Sequence, residues 1–249
     1  MLILLPPSET KRPGGDGAPW SAAAGAFGVL APVRDQVVDA LVALSADEEL
    51  AARVLKLSPR QRGDIAANAA LRTAATMPAA DRYTGVLYDA LAADTLGERE
   101  RAWLGSHVGI HSAPFGPVGA LETIPAYRLA AGTSLPGIAS LRRMWADAVT
   151  AALAASEASL ILDLRSEAYV ALGPVPASIP HAYVRVVTEG EDGTARALNH
   201  FNKHAKGALV RRLAETGPAI GSLDELLAWA DAHGVILRET GPGTLELVV

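Results

Sequence analysis

Leu2–Leu5 is an unbroken aliphatic run that stops at Pro6-Pro7. A short apolar run bounded by turn residues predicts a strand buried on both faces. In APVRDQVVDALVALS the apolar positions fall at helical spacing, so a helix is expected to start near Pro32. Ser45 to Glu48 reads Ser-x-x-Glu, a capping box that predicts a second helix reaching about Leu55. Ser58, Pro59 and Gln61 repeat the device, with Ser58 as cap, Pro59 at the first helical position and Gln61 reaching back. Residues 31–70 therefore read as helices joined by tight turns.

Farther along, MPAADRYTGVLYDALAA predicts one helix after Pro78, and GERERAWLG a short charged helix ending at Gly105. HVGIHS alternates as a strand does. APFGPVGALETIP is rich in proline and glycine and reads as loop. IASLRRMWADAVTAALAASEA is the longest helical pattern, and SLILDL follows as a buried strand. HAYVRVVTEGEDGTARALNHF predicts a β-hairpin turning at Asp192-Gly193. NKHAKGALVRRLAE is helical with Gly207 inside it, and Ser222 opens a capped helix that stops at Gly234. VILRE and TLELVV close the chain as strands. Strands at the start, middle and end, with helices between, predict an α+β fold. Residues 1–249 form a single domain in this reading, a mixed sheet flanked by helices, with 31–105 as a helical subregion.

Composition changes this picture little. Of 249 residues, 50% are hydrophobic, enough for a sizeable core. The chain has no cysteine, which excludes disulfides, thiolate metal sites and a cysteine nucleophile, and fits a cytoplasmic protein. No segment approaches the roughly 20 apolar residues of a membrane span, and Leu2–Leu5 lacks the flanks of a signal peptide. Secretion and membrane insertion are not expected. The formal net charge of −5 argues against indiscriminate polyanion binding. Cations are nevertheless clustered. Arg53, Lys56, Arg60 and Arg62 share a stretch without an acid, as do Arg196, Lys203, Lys206, Arg211 and Arg212 with His200 and His204. Both stretches read equally as solvated helix faces.

The sequence holds no nucleophile elbow, P-loop or His-Glu-x-x-His, and its six histidines are scattered. No metal site and no cofactor is implied. What remains are polar groups at the ends of apolar strands, where α/β sheets usually hold ligands. Ser8, Glu9, Thr10 and Lys11 follow the first strand. Asp163, Arg165, Ser166 and Glu167 follow another, with Tyr169 just beyond. Tyr127 and Arg128 end the long loop, and Lys203 and Lys206 sit near a helix start. Ser8, Thr10, Lys11, Tyr127, Arg128, Arg165, Ser166, Lys203 and Lys206 are the expected lining of one cleft for a phosphate or carboxylate. Glu9, Asp163 and Glu167 are the candidates for general acid–base work there. A surface ion-pair network would read the same way.

Taken in order, LLPPSETK, RYTGVLYDAL, IPAYRL, MWADAV, LILDLRSEAY and FNKHAKG resemble the YaaA family of peroxide stress proteins, in an actinobacterial-type form. The resemblance runs over nearly the whole chain. It implies a mixed α/β fold with a helix-hairpin-helix element, a positively charged cleft, DNA binding and a cytoplasmic role in limiting oxidative damage. The chain departs from the family pattern at Gly119, where arginine is common, at Glu122, where aspartate is common, and at Lys11, which is displaced in the first loop. Residues 45–70 hold only Gly63, without the Gly-x-Gly of a usual DNA-gripping turn. The leading expectation is a stress protein that binds DNA with little sequence preference. Arg53, Lys56, Arg60, Arg211 and Arg212, with Lys203 and Lys206, would contact phosphates. The alternative is an enzyme acting on a nucleotide or other small anionic substrate in the cleft.

Overall fold

In the computed structural model, residues 1–189, 195–197 and 199–249 are described, with side chains except at 189, 195–197 and 199–201. The strands are β1 (Leu2–Leu5), β2 (Met77–Pro78), β3 (Val108–Ser112), β4 (Gly116–Gly119), β5 (Thr123–Ile124), β6 (Ile161–Asp163), β7 (His181–Glu189), β8 (Ala195–Ala197), β9 (Leu237–Gly241) and β10 (Thr244–Val248). One mixed sheet runs β4-β3-β1-β6-β7-β10-β9, with β8 paired to β7, and β2 pairs with β5 in a separate ribbon. The five central strands are parallel, and the edge strands β4 and β9 pair antiparallel. Parallel strands are covered on both faces, which is why Leu2–Leu5 and SLILDL read as continuous apolar runs. Ile3, Leu4, Leu5, Ile110, Ile161 and Leu162 are fully buried.

The helices are α1 (Ala31–Leu44), α2 (Glu48–Val54), α3 (Gly63–Ala69), α4 (Ala79–Arg82), α5 (Val86–Leu91), α6 (Glu98–His107), α7 (Leu141–Ala154), α8 (Glu167–Val170), α9 (Asn199–Thr216) and α10 (Leu223–Ala232). Among the described residues, none is long and apolar enough to cross a membrane. Ser222 caps α10 by accepting from Glu225 N–H at 3.2 Å, as its motif predicts. Gln61 reaches back to Ser58 N–H at 3.0 Å, closing a tight 3₁₀ turn ahead of α3.

Several expectations are corrected. Ser45 does not cap α2. Its hydroxyl donates to Leu41 O at 2.8 Å, because α1 continues to Leu44, and Asp47 is the cap, accepting from Leu50 N–H at 3.0 Å. The helix expected after Pro78 is two helices, broken where Tyr83 turns extended to bridge Lys11 and Gly85 takes φ 94°. α6 runs two residues past Gly105. The proline-rich 113–125 is not all loop, since it contains β4 and β5. Pro117 is tolerated because β4 is an edge strand. The longest helix is α9, with 18 residues, rather than α7 with 14. β7 and β8 pair antiparallel as a hairpin would, and the expected turn at Asp192-Gly193 lies outside the described residues.

Two buried arginines stitch long loops to strands, one at the edge of the sheet and one in the β2–β5 ribbon. Arg34 on α1 donates to Phe115 O, Pro117 O and Ala22 O at 2.8, 2.9 and 2.9 Å, holding the 20–27 loop against β4. Arg82 donates to Arg12 O at 2.6 Å and to Ile124 O at 3.0 Å, holding the first loop against β5.

α9 lies directly against α5. A Cβ on Gly207 would stand 2.0 Å from Leu87 O. Gly207→Ala should therefore destabilise the fold. Overpacking costs about 1–3 kcal/mol, against a helix-propensity gain of roughly 1 kcal/mol. Urea unfolding should give a lower midpoint, and a higher one would mean that the two helices are free to separate.

Candidate functional site

β1 sits between β3 and β6, and the chain leaves it toward β3 but leaves β6 toward β7. Diverging connections of this kind open a crevice at the carboxyl ends of neighbouring parallel strands. The loops after β1 and β6 meet at that place, and Leu164 N–H donates to Leu4 O at 2.9 Å.

The β1 loop is a tight polar turn. Ser8 Oγ lies 3.3 Å from Thr10 Oγ1, which accepts from Thr84 Oγ1 at 2.9 Å. Lys11 folds back over the loop, and its Nζ donates to Ser8 O at 2.9 Å and Glu9 O at 3.3 Å. The same Nζ stands 3.9 Å from the centre of the Tyr127 ring and 5.4 Å from that of Tyr83. The two tyrosine hydroxyls hydrogen-bond each other at 2.8 Å. Arg128 is fixed by Asn68, which accepts from its backbone N–H at 2.7 Å and donates to its carbonyl at 2.9 Å. Its guanidinium pairs with the exposed Glu9 at 3.0 Å. No carboxylate pairs with Lys11 among the described residues. Burial, then the neighbouring Arg128 charge, lowers its pKa from 10.5 to about 7. A shallow groove adjoins, lined in part by Arg12, Tyr83, Thr84 and Tyr88.

The β6 loop builds a second, deeper cluster. Arg165 is fully buried and Asp163 is 3% exposed. Arg165 Nε and Nη2 donate to the two Asp163 oxygens at 2.9 and 2.6 Å, a bidentate pair. Its Nη1 donates to Gly173 O and to His111 Nδ1, each at 2.9 Å. An accepting Nδ1 leaves the imidazole proton on Nε2, which has no partner among the described residues. Burial, then the Arg165 charge, holds the His111 pKa well below its usual value. Tyr169 packs edge-on against His111 at 5.8 Å, and its hydroxyl is raised first by burial and then by Glu9, so this ring spans the two clusters. Lys206 comes from α9, is buried, and donates to Leu164 O at 3.0 Å. Burial lowers it to about 8, with Asp163 opposing.

Ser8, Glu9, Thr10, Lys11, Tyr127 and Arg128 therefore stand together, and Asp163, Arg165 and Lys206 form the adjoining buried group. Ser166 and Glu167 lie exposed at the start of α8, and Lys203 and Arg212 lie exposed on α9. Arg211 is taken up internally, donating to Leu91 O, Thr95 Oγ1 and Glu215 at 3.1, 2.8 and 2.9 Å. Arg53, Lys56 and Arg60 are exposed around the α2–α3 turn. Sequence reasoning passed over His111, Tyr83, Thr84 and Asn68. Two of these stand in the RYTGVLYDAL stretch, whose tyrosines flanking a glycine were the available signal.

A family model described as peroxide stress protein YaaA matches residues 1–238. A UPF0246 protein of Corynebacterium efficiens is 45% identical over the whole of both chains. One from Corynebacterium glutamicum is 40% identical over the same span. One from Streptomyces coelicolor is 40% identical over 88% of this chain and 85% of its own.

Asp163→Asn leaves the buried Arg165 without its counter-charge. Breaking such a pair costs about 3–5 kcal/mol, which urea unfolding would detect. Arg165→Met added to Asp163→Asn should recover part of the loss. Lys11 and Lys206 bind protons less tightly folded than unfolded, so between their folded values, about 7 and about 8, and 10.5 the unfolded chain holds more protons. Stability should rise with pH across that window. The rise is read below pH ~10, where the tyrosines begin to ionise in the unfolded chain. A melting temperature that climbs from neutral to mildly alkaline pH in the wild type, with a shallower climb in Lys11→Met, is the expected result.

Proposed function

Because the chain belongs to the YaaA family of peroxide stress proteins, we propose that it acts in peroxide stress by holding DNA phosphates on the surface around the α2–α3 turn. The observation that carries the reading is the state of Arg53, Lys56 and Arg60. All three are exposed, and none enters an ion pair among the described residues, whereas neighbouring Arg62 is spent on Glu49. Lys56 takes φ 54°, the left-handed conformation that a glycine would ordinarily supply in such a turn. A cation at the tip of a turn between two short helices suits a phosphate contact. Exposed Lys203 and Arg212 on α9 are candidates for further contacts.

The arrangement at the carboxyl ends of β1 and β6 favours a second reading, binding or turnover of a small anionic ligand beside Lys11 and Arg128. Arg128 pairs with an exposed carboxylate that an incoming anion can replace. Asp163 supports this reading as a brace, because both its oxygens are committed to Arg165.

The test of DNA binding is its salt dependence. Replacing the three turn cations (Arg53→Ala, Lys56→Gly and Arg60→Ala, with glycine chosen to suit the positive φ) should weaken duplex binding evenly across sequences. The slope of log K against log salt should become shallower by roughly 2–3 units, at about 0.9 per lost contact. An unchanged slope would take the DNA surface away from this turn.

A further inference from the structure

Lys11 is one of four lysines in the chain. Lys56 and Lys203 stand in solvent, and Lys206 is buried beneath α9. Lys11 alone is partly buried at the mouth of the crevice. Two of its hydrogens are directed to Ser8 O and Glu9 O, so the amine is held in one place. Arg128 lies close enough to act on the Lys11 charge, and among the described residues its guanidinium is occupied only by the bond to exposed Glu9. An amine that shares a site with a second cation, away from bulk water, is the arrangement that activates lysine toward carbonyl carbon. The second cation also gives the carbonyl compound a place to put a negative charge.

We infer that Lys11 captures an aldehyde carried on an anionic molecule, forming an imine at Nζ with the neighbouring charge held by Arg128. The inference rests on the reading of the β1 loop as an anion site. In the step, the Nζ lone pair forms a bond to the carbonyl carbon and a proton passes from nitrogen to the carbonyl oxygen. The oxygen then takes a second proton from solvent, the C–O bond breaks with its electron pair going to the departing water, and the nitrogen lone pair completes the C=N bond of a protonated imine. Two sources offer this chemistry: the ring-opened sugar of an abasic site in DNA, flanked by phosphates, and a free aldehyde carboxylate such as glyoxylate.

Lys11 titrates near 7, so at neutral pH it holds a neutral fraction roughly 10³-fold above that of a lysine at its ordinary value. The groups facing it are Arg128, Asp64, Glu9 and Arg82, with Tyr83 and Tyr127 against its Nζ. None of the carboxylates pairs with it.

The experiment is borohydride trapping of the full chain at neutral pH. Its arms are a duplex carrying one abasic site, the same duplex intact, and glyoxylate. Mass spectrometry of the peptides locates the adduct. A reduced adduct at Lys11, on the order of a hundredfold above Lys56 and Lys203 and lost in Lys11→Arg, is the expected result. Preference for the abasic duplex assigns the DNA source, and labelling by glyoxylate alone assigns the free acid. Absence of an adduct at Lys11 in both aldehyde arms, or equal labelling of Lys56 and Lys203, overturns the inference. Peptide mapping of the wild type carries the result even if Lys11→Arg folds poorly. Anisotropy with the intact duplex keeps the two readings apart. Binding without trapping removes the imine and leaves DNA binding standing. Glyoxylate trapping without duplex binding does the reverse.

Discussion

A guanidinium buried at the end of β6 sets the terms for the rest of the site. Arg165 has no access to water, so its hydrogens must be met by protein. Asp163 supplies the counter-charge from the same strand, His111 supplies an acceptor from β3, and Gly173 supplies a carbonyl from the segment beyond α8. β1 runs between β3 and β6. Satisfying one buried charge thus fixes the strand ends on both sides of β1, and the first loop leaves the sheet between them in a determined direction. Asp163 is the group that makes this possible, with both of its oxygens committed to Arg165.

Lys11 stands in the opposite condition. Its nearest oxygens are backbone carbonyls, and the carboxylate beside it in sequence, Glu9, is committed to Arg128. Two aromatic faces favour the ammonium by about 0.5–2 kcal/mol each. Burial and the Arg128 charge oppose it and prevail. The fold neutralises one buried cation completely and leaves another, a few residues past an adjacent strand, without a partner carboxylate among the described residues. That asymmetry separates the internally neutralised half of the polar cluster from the half on which the proposed ligand site rests. Lys206 belongs with the first half, because its ammonium closes α9 onto Leu164 O.

Much of the architecture was legible in the chain because its signals are local. The aliphatic runs of β1 and β6, the Ser222 cap and the Gly207 helix need only a few neighbouring residues to be read. Where two local signals competed, tertiary structure decided. Ser45 carries a capping motif, but α1 reaches it first. The 79–91 segment has helical spacing, but pairing of Tyr83 with Lys11 breaks it. Pro117 reads as loop until the sheet is known to end there. The site was legible as a list of polar groups at strand ends. How that list divides was not, because nothing local distinguishes Asp163, consumed by Arg165, from Glu9, held in solvent by Arg128. His111 was invisible for the same reason: its partner lies 54 positions away.

The account turns on whether Lys11 is an uncompensated cation. Direct titration of the lysine side chains by NMR, with ¹³C at Cε and Lys11→Arg for assignment, reads this without reference to any ligand. The account predicts that the Lys11 resonance titrates with a midpoint about 7. A midpoint at the ordinary lysine value near 10.4 would mean that solvent or an anion already balances its charge, and would contradict it.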